Sequence, residues 1–157
     1  MVQLIRMTQP ELDEYLPHAI QALADELAKG NGWNTDQSLA AALRSFDVLL
    51  PNRAVDSPNQ LLWTIVADSQ RVGVLWCGIR EHGEAFVWDI LIYPAWRNRG
   101  YGTEAMVAME QELRQMEIVR VGLNVFAHNS VAARMYSKIG YIPVSTRLIK
   151  VLDRKDF

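Results

Sequence analysis

The sequence feature that most constrains the fold is a series of three apolar, strand-like segments joined by short polar turns. Residues 61–67, 72–79 and 85–93 are rich in Val, Ile, Leu and Trp, which favour strands. The connections Asp68-Ser69-Gln70 and Glu81-His82-Gly83-Glu84 are short enough for hairpins. Hairpins join antiparallel neighbours. The middle of the chain is therefore predicted to form an antiparallel meander.

The segments before the meander predict one strand and a helical region. Residues 2–6 are typical of a short strand. Apolar residues then recur on one helical face; they are Leu12, Leu16, Ile20, Leu23 and Leu27. Pro17 falls inside this stretch, so we expect a kink or two abutting helices. Gly30-Asn31-Gly32 ends the helix, and a second helix is predicted over residues 36–49.

The segments after the meander alternate between helix and strand. Helices are predicted over residues 103–116 and 129–139, with a strand over residues 119–126 between them. Residues 141–144 and 148–152 are predicted to complete the sheet. The expected fold class is α/β: a mixed sheet in which the antiparallel N-terminal meander is followed by a parallel βαβ crossover, with helices on both faces. Residues 1–157 are expected to form one domain.

Composition narrows the functional classes. The chain has 157 residues, half of them hydrophobic, and a formal net charge of -2 from 16 basic and 18 acidic residues. Nucleic acid is not an expected partner, because its binding needs a concentrated basic face. Cys77 is the one cysteine, so no thiolate metal cluster is expected, and its apolar neighbours predict a buried, inert thiol. Without a signal-peptide pattern or an apolar run of about 20 residues, a cytoplasmic protein with no membrane partner is expected.

The most informative segment joins the third strand-like run to the helix that follows. It reads Pro94-Ala95-Trp96-Arg97-Asn98-Arg99-Gly100-Tyr101-Gly102-Thr103. Unpaired N–H groups at a helix start favour an anion. Gly100 and Gly102 let the main chain approach it closely, and Arg97 and Arg99 add positive charge. This chemistry is typical of a pyrophosphate site. A glycine-containing turn with solvated arginines is the structural alternative.

Two known phosphate loops do not fit this turn. A Walker loop has Lys and then Ser or Thr after its second glycine, whereas Thr103-Glu104 follow Gly102 here. Residues 100–105 do match the dinucleotide pattern G-x-G-x-x-A. That pattern belongs to a first βαβ unit whose next strand ends in an acidic residue. Here the turn follows a meander, and residues 119–126 end without an acid. The dinucleotide fingerprint is therefore rejected.

The turn closely resembles the Arg/Gln-x-x-Gly-x-Gly/Ala turn of the GNAT acetyltransferases. Arg97, Gly100 and Gly102 fill its three defining positions. Residues 90–94 are similar to the strand that leads into the turn in that family. Downstream, residues 129–141 match the family helix N-x-x-A-x-x-x-Y-x-x-x-G-F/Y. The matching positions are Asn129, Ala132, Tyr136, Gly140 and Tyr141. The layout is similar to that of small bacterial members whose acceptor is not generally known.

The resemblance implies an N-acetyltransferase that uses acetyl-CoA as co-substrate and needs no metal. Main-chain groups around Leu91 and Ile92 would pair with the pantetheine arm, and a backbone N–H there would polarise the thioester carbonyl. Asn129 would hydrogen-bond the same arm, although it could also be a simple helix N-cap. The residues implied to contact the cofactor are Leu91, Ile92, Arg97, Asn98, Arg99, Gly100, Tyr101, Gly102, Thr103, Asn129, Ala132 and Tyr136.

The candidate catalytic residues are Tyr136 and Asp89. Tyr136 lies at the family's general-acid position, where a phenol protonates the coenzyme A thiolate; packing beside its neighbours is the alternative. The family's proton-relaying Glu aligns with Trp88, which cannot accept a proton. Asp89 is the only acid in an apolar strand, so it needs a catalytic or structural partner. Trp88 and Asp89 share a face only if the strand contains a bulge. Weaker candidates are Glu84 and His128, the latter expected to be solvated.

Direct acetyl transfer to a primary amine is therefore the predicted function. The acceptor is a small amine or a peptide or protein amine, and the sequence does not select between them. A non-catalytic acyl-CoA-binding or sensor module is the alternative. A dinucleotide-dependent oxidoreductase is kept as a rival function, which would be distinguished by whether coenzyme A or a nicotinamide cofactor raises the melting temperature. Trp33 and the helices of the first half are expected to wall the acceptor pocket, because their family counterparts cover that side. A monomer or homodimer is expected.

Overall fold

The computed structural model describes residues 1–152, so the last five residues of the predicted domain lie outside the described part. The chain divides into two compact units. Unit 1 contains Met1–Gln9 and Val55–Asn124, and unit 2 contains Pro10–Ala54 and the chain from Val125 onward. The segment that resembles the GNAT turn lies in unit 1, and the segment that resembles the GNAT helix lies in unit 2.

Unit 1 is built on a mixed five-stranded sheet. Its strands, in chain order and in spatial order alike, are β1 (Val2–Arg6), β2 (Gln60–Ala67), β3 (Gln70–Arg80), β4 (Glu84–Ile92) and β5 (Arg120–Leu123). The first four pair antiparallel, and β4 pairs with β5 in parallel. A helix, α3 (Tyr101–Gln115), connects the parallel pair, because parallel strands need a crossover. The predicted meander, crossover and fold class are confirmed.

The core of unit 1 lies among the central strands and α3. Seven consecutive residues of β3 are buried, so this strand is covered on both faces. The helix packs against β1 and β4 through a stripe of Ala105, Met106, Met109 and Leu113. Met116 follows the end of the helix and is exposed.

Cys77 is fully buried on β3. Burial raises the pKa of its thiol to about 12, although the positive charge of Arg6 lowers it somewhat. The prediction of a buried thiol is confirmed, and the raised pKa disfavours the thiolate, which is the reactive form of cysteine.

The described part of unit 2 is helical. It contains α1 (Gln9–Asn31), whose first residue belongs to unit 1, α2 (Thr35–Leu49), a short 3-10 helix (Pro51–Arg53) and α4 (Ser130–Lys138). The first helix is continuous through Pro17, so the expectation of two abutting helices is wrong. Proline removes only one backbone donor, and buried residues on both sides of it maintain the helix. These are Leu12, Tyr15, Leu16, Ala19 and Ile20.

Two local signals set the boundary between α1 and α2. Gly32 takes a left-handed conformation with φ of 66°, and its N–H donates to the Ala28 carbonyl at 2.9 Å, which ends α1. Asn34 then caps α2: its side chain accepts from the Gln37 N–H, while the Gln37 side chain accepts from the Asn34 N–H. This capping box begins α2 at Thr35.

The C-terminal strand predictions are wrong. Within residues 1–152, residues 141–144 and 148–152 form no strand, and the strand predicted over residues 119–126 is limited to Arg120–Leu123. Pro143 has no N–H to donate to a ladder, and Ile142 and Val144 are 78% and 90% exposed. An apolar pattern alone does not make a strand, because a strand also needs a hydrogen-bonded neighbour.

Candidate active site

Two neighbouring strands of unit 1 separate at the end of the sheet that leads into the turn. The parallel pairing of β4 with β5 runs from Glu84–Arg120 to Val87–Leu123 and stops there. The antiparallel pairing of β4 with β3 continues five residues further, to Ile92. Among residues 1–152, no strand pairs with the second half of β4 on the β5 side of the strand, so an extended ligand can pair with it as an added strand does.

The orientation of the main chain distinguishes Leu91 from Ile92. A Cβ built on Gly73 of β3 would collide with the Leu91 carbonyl oxygen, so that carbonyl points toward β3. The Tyr93 N–H also points to β3, donating to the Val72 carbonyl at 2.9 Å. Because successive strand residues alternate in hydrogen-bonding direction, Ile92 directs its main-chain groups to the opposite, open edge. Because the Ile92 carbonyl already accepts from Arg97 Nε at 2.9 Å, this geometry favours the Ile92 N–H over the main chain of Leu91 for pairing with a bound ligand.

A β-bulge occurs on β4 at Trp88, the position that aligns with the proton-relaying Glu of the GNAT family. Cys77 pairs with Val87 and Trp76 pairs with Asp89, so Trp88 is the extra residue on β4. Asp89 shares the face of its partner Trp76, and the Trp88 ring also lies beside Trp76, with centroids 6.3 Å apart. Trp88 and Asp89 therefore face the same side, as the sequence analysis required for a role of Asp89. The Asp89 side chain is half-buried.

The bulged tryptophan is held in an aromatic cluster. Its ring centroid lies 4.5 Å from that of Phe86, and the Arg80 guanidinium lies 5.1 Å from the Trp88 ring and 4.0 Å from the Phe86 ring. The indole also crosses β3 over Gly78, where a Cβ would lie only 2.6 Å from Trp88 Nε1. This N–H is buried and has no hydrogen-bond partner among the described residues.

Each of the two arginines of the turn donates a hydrogen bond to a main-chain carbonyl that precedes the turn. Arg97 Nε donates to the Ile92 carbonyl at 2.9 Å, which ties the turn to the end of β4. Arg99 reaches the Ala95 carbonyl at 3.4 Å, and its guanidinium lies 5.0 Å from the Trp96 ring. Both side chains are exposed. They therefore shape the turn and also place positive charge at its surface.

The start of α3 has the geometry of an anion site. Gly100 is the N-cap residue in the left-handed region, with φ of 82°, and it supplies no side-chain cap. Asn98 is also left-handed, with φ of 61°. The N–H of Glu104 bonds to the Gly100 carbonyl at 3.0 Å, so the N–H groups of residues 101–103 precede the first intrahelical bond. A Cβ on Gly100 would have no atom within 4 Å, which leaves room for a phosphate.

In unit 2, Asn129 is the N-cap of α4. Its Oδ1 accepts from the Ala132 N–H at 3.2 Å, so the structural alternative for Asn129 is observed. This bond uses the Ala132 N–H and the amide oxygen of Asn129, and leaves the Asn129 NH2 as the group for a ligand carbonyl. Sequence resemblance alone could not identify which amide atom is engaged.

Tyr136 lies two turns after Asn129 on the same face of α4. It is half-buried, and its ring meets that of Tyr141 edge-on, with centroids 5.9 Å apart. The Tyr141 N–H donates to the Tyr136 carbonyl at 3.0 Å beyond the helix end. The tyrosine that ends the family pattern therefore packs against the proposed acid.

His128 is exposed, as predicted, and it also makes two specific contacts. Its Nε2 lies 2.9 Å from Glu26 Oε2, and its ring stacks on Phe126 with centroids 5.6 Å apart. Glu26 was missed by the sequence analysis, because nothing in the sequence links residues 102 positions apart. Glu84, the other weak candidate, lies within 4 Å of two guanidinium groups, those of Arg80 and Arg120.

Neither a metal cluster nor a membrane helix is found in the described part of the chain. Residues 1–152 contain no group of three or more His, Cys, Asp or Glu residues that could hold a metal ion. No helix among them has the length and apolar character to cross a membrane. A cavity of about 560 Å³ lies at the opposite end of β4 from the turn, lined by Asn59, Ile79, Arg80, Glu81 and Glu84.

The fold and the turn agree with comparisons to known proteins. The family model of the acetyltransferase (GNAT) family matches residues 20–141. The uncharacterized N-acetyltransferase YycN of Bacillus subtilis (strain 168) is 32% identical over 144 residues, covering 89% of this chain and 92% of YycN. The crystal structure of YycN superposes with a TM-score of 0.89 and 31% identity, covering 97% of this chain and 99% of the YycN chain.

More distant structures share the fold. An N-acetyltransferase from Thermoplasma acidophilum, crystallised in complex with coenzyme A, has a TM-score of 0.64 at 18% identity and covers 94% of this chain and 93% of its own. The family model spans most of the chain and includes the turn, β4 and α4. The chain belongs to the acetyltransferase (GNAT) family.

Proposed function

We propose that this protein transfers the acetyl group of acetyl-CoA directly to a primary amine. The observation that carries the proposal is the open edge of β4 leading into the turn of residues 97–103 at the start of α3. An extended arm with a pyrophosphate at one end fits such a strand-to-helix junction, because the strand edge offers main-chain pairing and the helix start offers N–H donors.

The residues of the turn fit coenzyme A chemically. Backbone N–H groups of residues 101–103 would bind the pyrophosphate, with Arg97 and Arg99 adding long-range attraction. Ile92 would pair with the pantetheine arm, and the Asn129 NH2 would donate to one of its carbonyls. The Thermoplasma acidophilum relative was crystallised with coenzyme A. The acetyltransferase AAC(6')-Iy, similar in fold with a TM-score of 0.62, was crystallised with a bisubstrate analogue of coenzyme A, which is compatible with direct transfer.

Asp89 would accept a proton from the amine nitrogen. The bulge at Trp88 turns Asp89 to the face shared with Trp76, so its carboxylate reaches a side of the sheet that a regular strand would deny it. When the amine attacks the thioester carbonyl carbon, its nitrogen becomes positively charged, and Asp89 would remove a proton from it directly or through water.

Tyr136 would protonate the departing sulfur. As the carbon–sulfur bond breaks, its electron pair stays on sulfur, and the phenol supplies the proton that yields the free thiol. The edge-on contact with Tyr141 limits the ring's motion and would hold the hydroxyl in one direction. General acid help of this kind is typically worth about 10²–10⁴-fold in rate.

An amine-panel assay tests this function. Purified protein is incubated with acetyl-CoA and single primary amines, including small amines, peptide N-termini and lysine peptides, and release of the free thiol is measured. Acetylation of at least one amine, with formation of the acetamide confirmed by mass spectrometry, supports the proposal. Coenzyme A binding without acetylation of any amine would contradict the catalytic part of it.

A further inference from the structure

The cavity at the far end of β4 has no role in the mechanism above. It lies within unit 1 and has a volume of about 560 Å³, which suits a small molecule or one end of a larger one. Its lining combines one arginine, two glutamates, an asparagine and an isoleucine. Apolar surface beside a few convergent polar groups is typical of a ligand site.

The ring of Trp88 shows that the cavity and Asp89 lie on the same face of the sheet. Its centroid is 6.3 Å from that of Trp76, the residue that pairs with Asp89. The same ring lies 5.1 Å from the guanidinium of Arg80, which lines the cavity. Trp76 and Arg80 are also an even number of positions apart on β3, which places them on one face. The indole therefore connects the Trp76–Asp89 pair to the Arg80 guanidinium.

Aromatic rings hold the Arg80 guanidinium in place. It lies 4.0 Å from the Phe86 ring in addition to its contact with Trp88. Arg80 pairs with Glu84 at the end of the ladder, so these contacts show that its side chain extends back along the sheet toward Trp88. Stacking covers a flat face of the guanidinium and leaves its N–H edge available to a planar anion. The side chain is 45% exposed, so a small molecule can reach it.

The charges beside the cavity favour an anion at Arg80. Glu84 lies between Arg80, at 3.6 Å, and Arg120, at 3.8 Å; both distances are too long for a hydrogen bond. One carboxylate between two guanidinium groups leaves one positive charge uncompensated. The Glu81 side chain is 94% exposed and lies 3.9 Å from His82, so its charge is strongly screened by solvent. A carboxylate is the anion that the fork of an arginine binds with two hydrogen bonds.

We infer that Arg80 is a specificity-determining residue that binds a carboxylate on the acceptor. The preferred acceptors are then primary amines that also carry a carboxylate, either free amino acids or peptides with an acidic side chain. The inference rests on the proposed function, in which Asp89 accepts a proton from the amine. The amine and the carboxylate should be less than about 13 Å apart, the length of strand from Trp76 to Arg80, because the Arg80 side chain extends toward Trp88.

The test compares acceptors that differ only in the charge at the end remote from the amine. A series of ω-amino carboxylates is compared with alkylamines and diamines of the same chain lengths. At the best length, kcat/KM of the parent should be at least roughly tenfold higher for the carboxylate than for the alkylamine, as a charge-assisted hydrogen bond provides, and the diamine should be the poorest acceptor. Peptides with Glu or Gln beside the reacting amine form a second arm, which distinguishes a peptide acceptor from a free amino acid.

Three variants test whether Arg80 causes the preference. Arg80→Gln should bring the ratio of kcat/KM for carboxylate and alkylamine close to one, and Arg80→Glu should reverse the preference in favour of the diamine. Arg71→Gln removes the same charge from an exposed position near the start of β3 and should keep the ratio of the parent. Ratios are compared because a loss of folded protein lowers the rate with every acceptor equally.

Calorimetry measures the same interaction without turnover. The best ω-amino carboxylate should bind the parent at least roughly tenfold more tightly than it binds Arg80→Gln. This difference without acetylation of any amine would contradict the proposed function and retain the carboxylate site. The inference would be overturned by equal affinity of the two proteins, by a preference of the parent for diamines, by the absence of a preference for the carboxylate in both arms, or by the ratio of the parent in Arg80→Gln.

Discussion

The aromatic cluster at the bulge makes Gly78 the most sensitive small residue of the sheet. A Cβ at this position would lie 2.6 Å from Trp88 Nε1 and 3.1 Å from Gln60 Oε1. Neither neighbour can move without cost. Gln60 Oε1 accepts the Trp76 indole N–H at 2.8 Å, and Trp88 is packed between Phe86 and Trp76. Gly78→Ala should therefore destabilise the fold.

The magnitude follows from two opposing terms. Overpacking of this kind costs about 1–3 kcal/mol, and replacing a strand glycine by alanine returns about 0.5–1 kcal/mol. The net loss in the free energy of unfolding should lie between about 0 and 2.5 kcal/mol, centred slightly above 1 kcal/mol, measured by urea denaturation followed by circular dichroism. The matched control is Gly122→Ala on β5, where a Cβ would meet Phe86 at 3.4 Å, an ordinary contact. That variant should be neutral or slightly stabilised.

A double-mutant cycle tests the cause of the effect. Trp88→Phe removes the nitrogen that a Cβ at Gly78 would approach, so the double variant should lose at least about 1 kcal/mol less than the sum of the two single variants. Additive effects would show that the clash with Trp88 is not the source. If Gly78→Ala were as stable as Gly122→Ala, the placement of Trp88 across β3 would be refuted.

Three further predictions concern the reaction and the buried thiol. Tyr136→Phe should lower the single-turnover rate at least roughly tenfold while leaving acetyl-CoA affinity nearly unchanged; an unchanged rate would make the phenol structural. Asp89→Asn should lower the rate and change its pH dependence, and a full rate at every pH would contradict its role. In the folded protein, the pKa of Cys77 is raised from 9.0 to about 12. The contribution of the protonated thiol to the free energy of unfolding should therefore be complete below about pH 9 and be lost as the pH rises toward 12. Between about pH 9 and 12, the free energy of unfolding measured in urea should therefore decrease less for Cys77→Ala than for the parent. An equal decrease with pH in the two proteins would contradict the burial of the thiol.

The sequence predicted the elements whose signals are local. The meander, the first strand, the helix after Gly102 and the end of α1 at Gly30-Asn31-Gly32 follow from strand composition, helical period and glycine conformation, and the structure has each of them. The two C-terminal strand predictions failed because apolar residues indicate a preference for burial and not a pairing partner. Pro143, in the first of the two segments, also has no N–H to donate to a ladder. Pro17 was given too much weight, since packing on both sides of it outweighs one missing donor.

The candidate site also combines features that the sequence predicted with features that it could not predict. The turn of residues 97–103 could be located from its motif, and so could Asn129 and Tyr136. The bulge at Trp88 could only be stated as a condition, because a bulge depends on register with β3 and not on the sequence of β4 alone. The His128–Glu26 contact could not be predicted at all, since it joins distant parts of the chain through Phe126 and Gly30.

The central claim, that the turn binds the pyrophosphate of coenzyme A, is tested most directly by calorimetry of coenzyme A with the parent and with Gly102→Val. A valine side chain in the first turn of α3 should block close approach of the phosphates to the N–H groups of residues 101–103, and affinity should fall by at least tenfold, about 1.4 kcal/mol. Gln111→Val, which places the same side chain on an exposed position of the same helix, should bind as the parent does. Equal affinity of folded Gly102→Val and Gln111→Val would contradict the account.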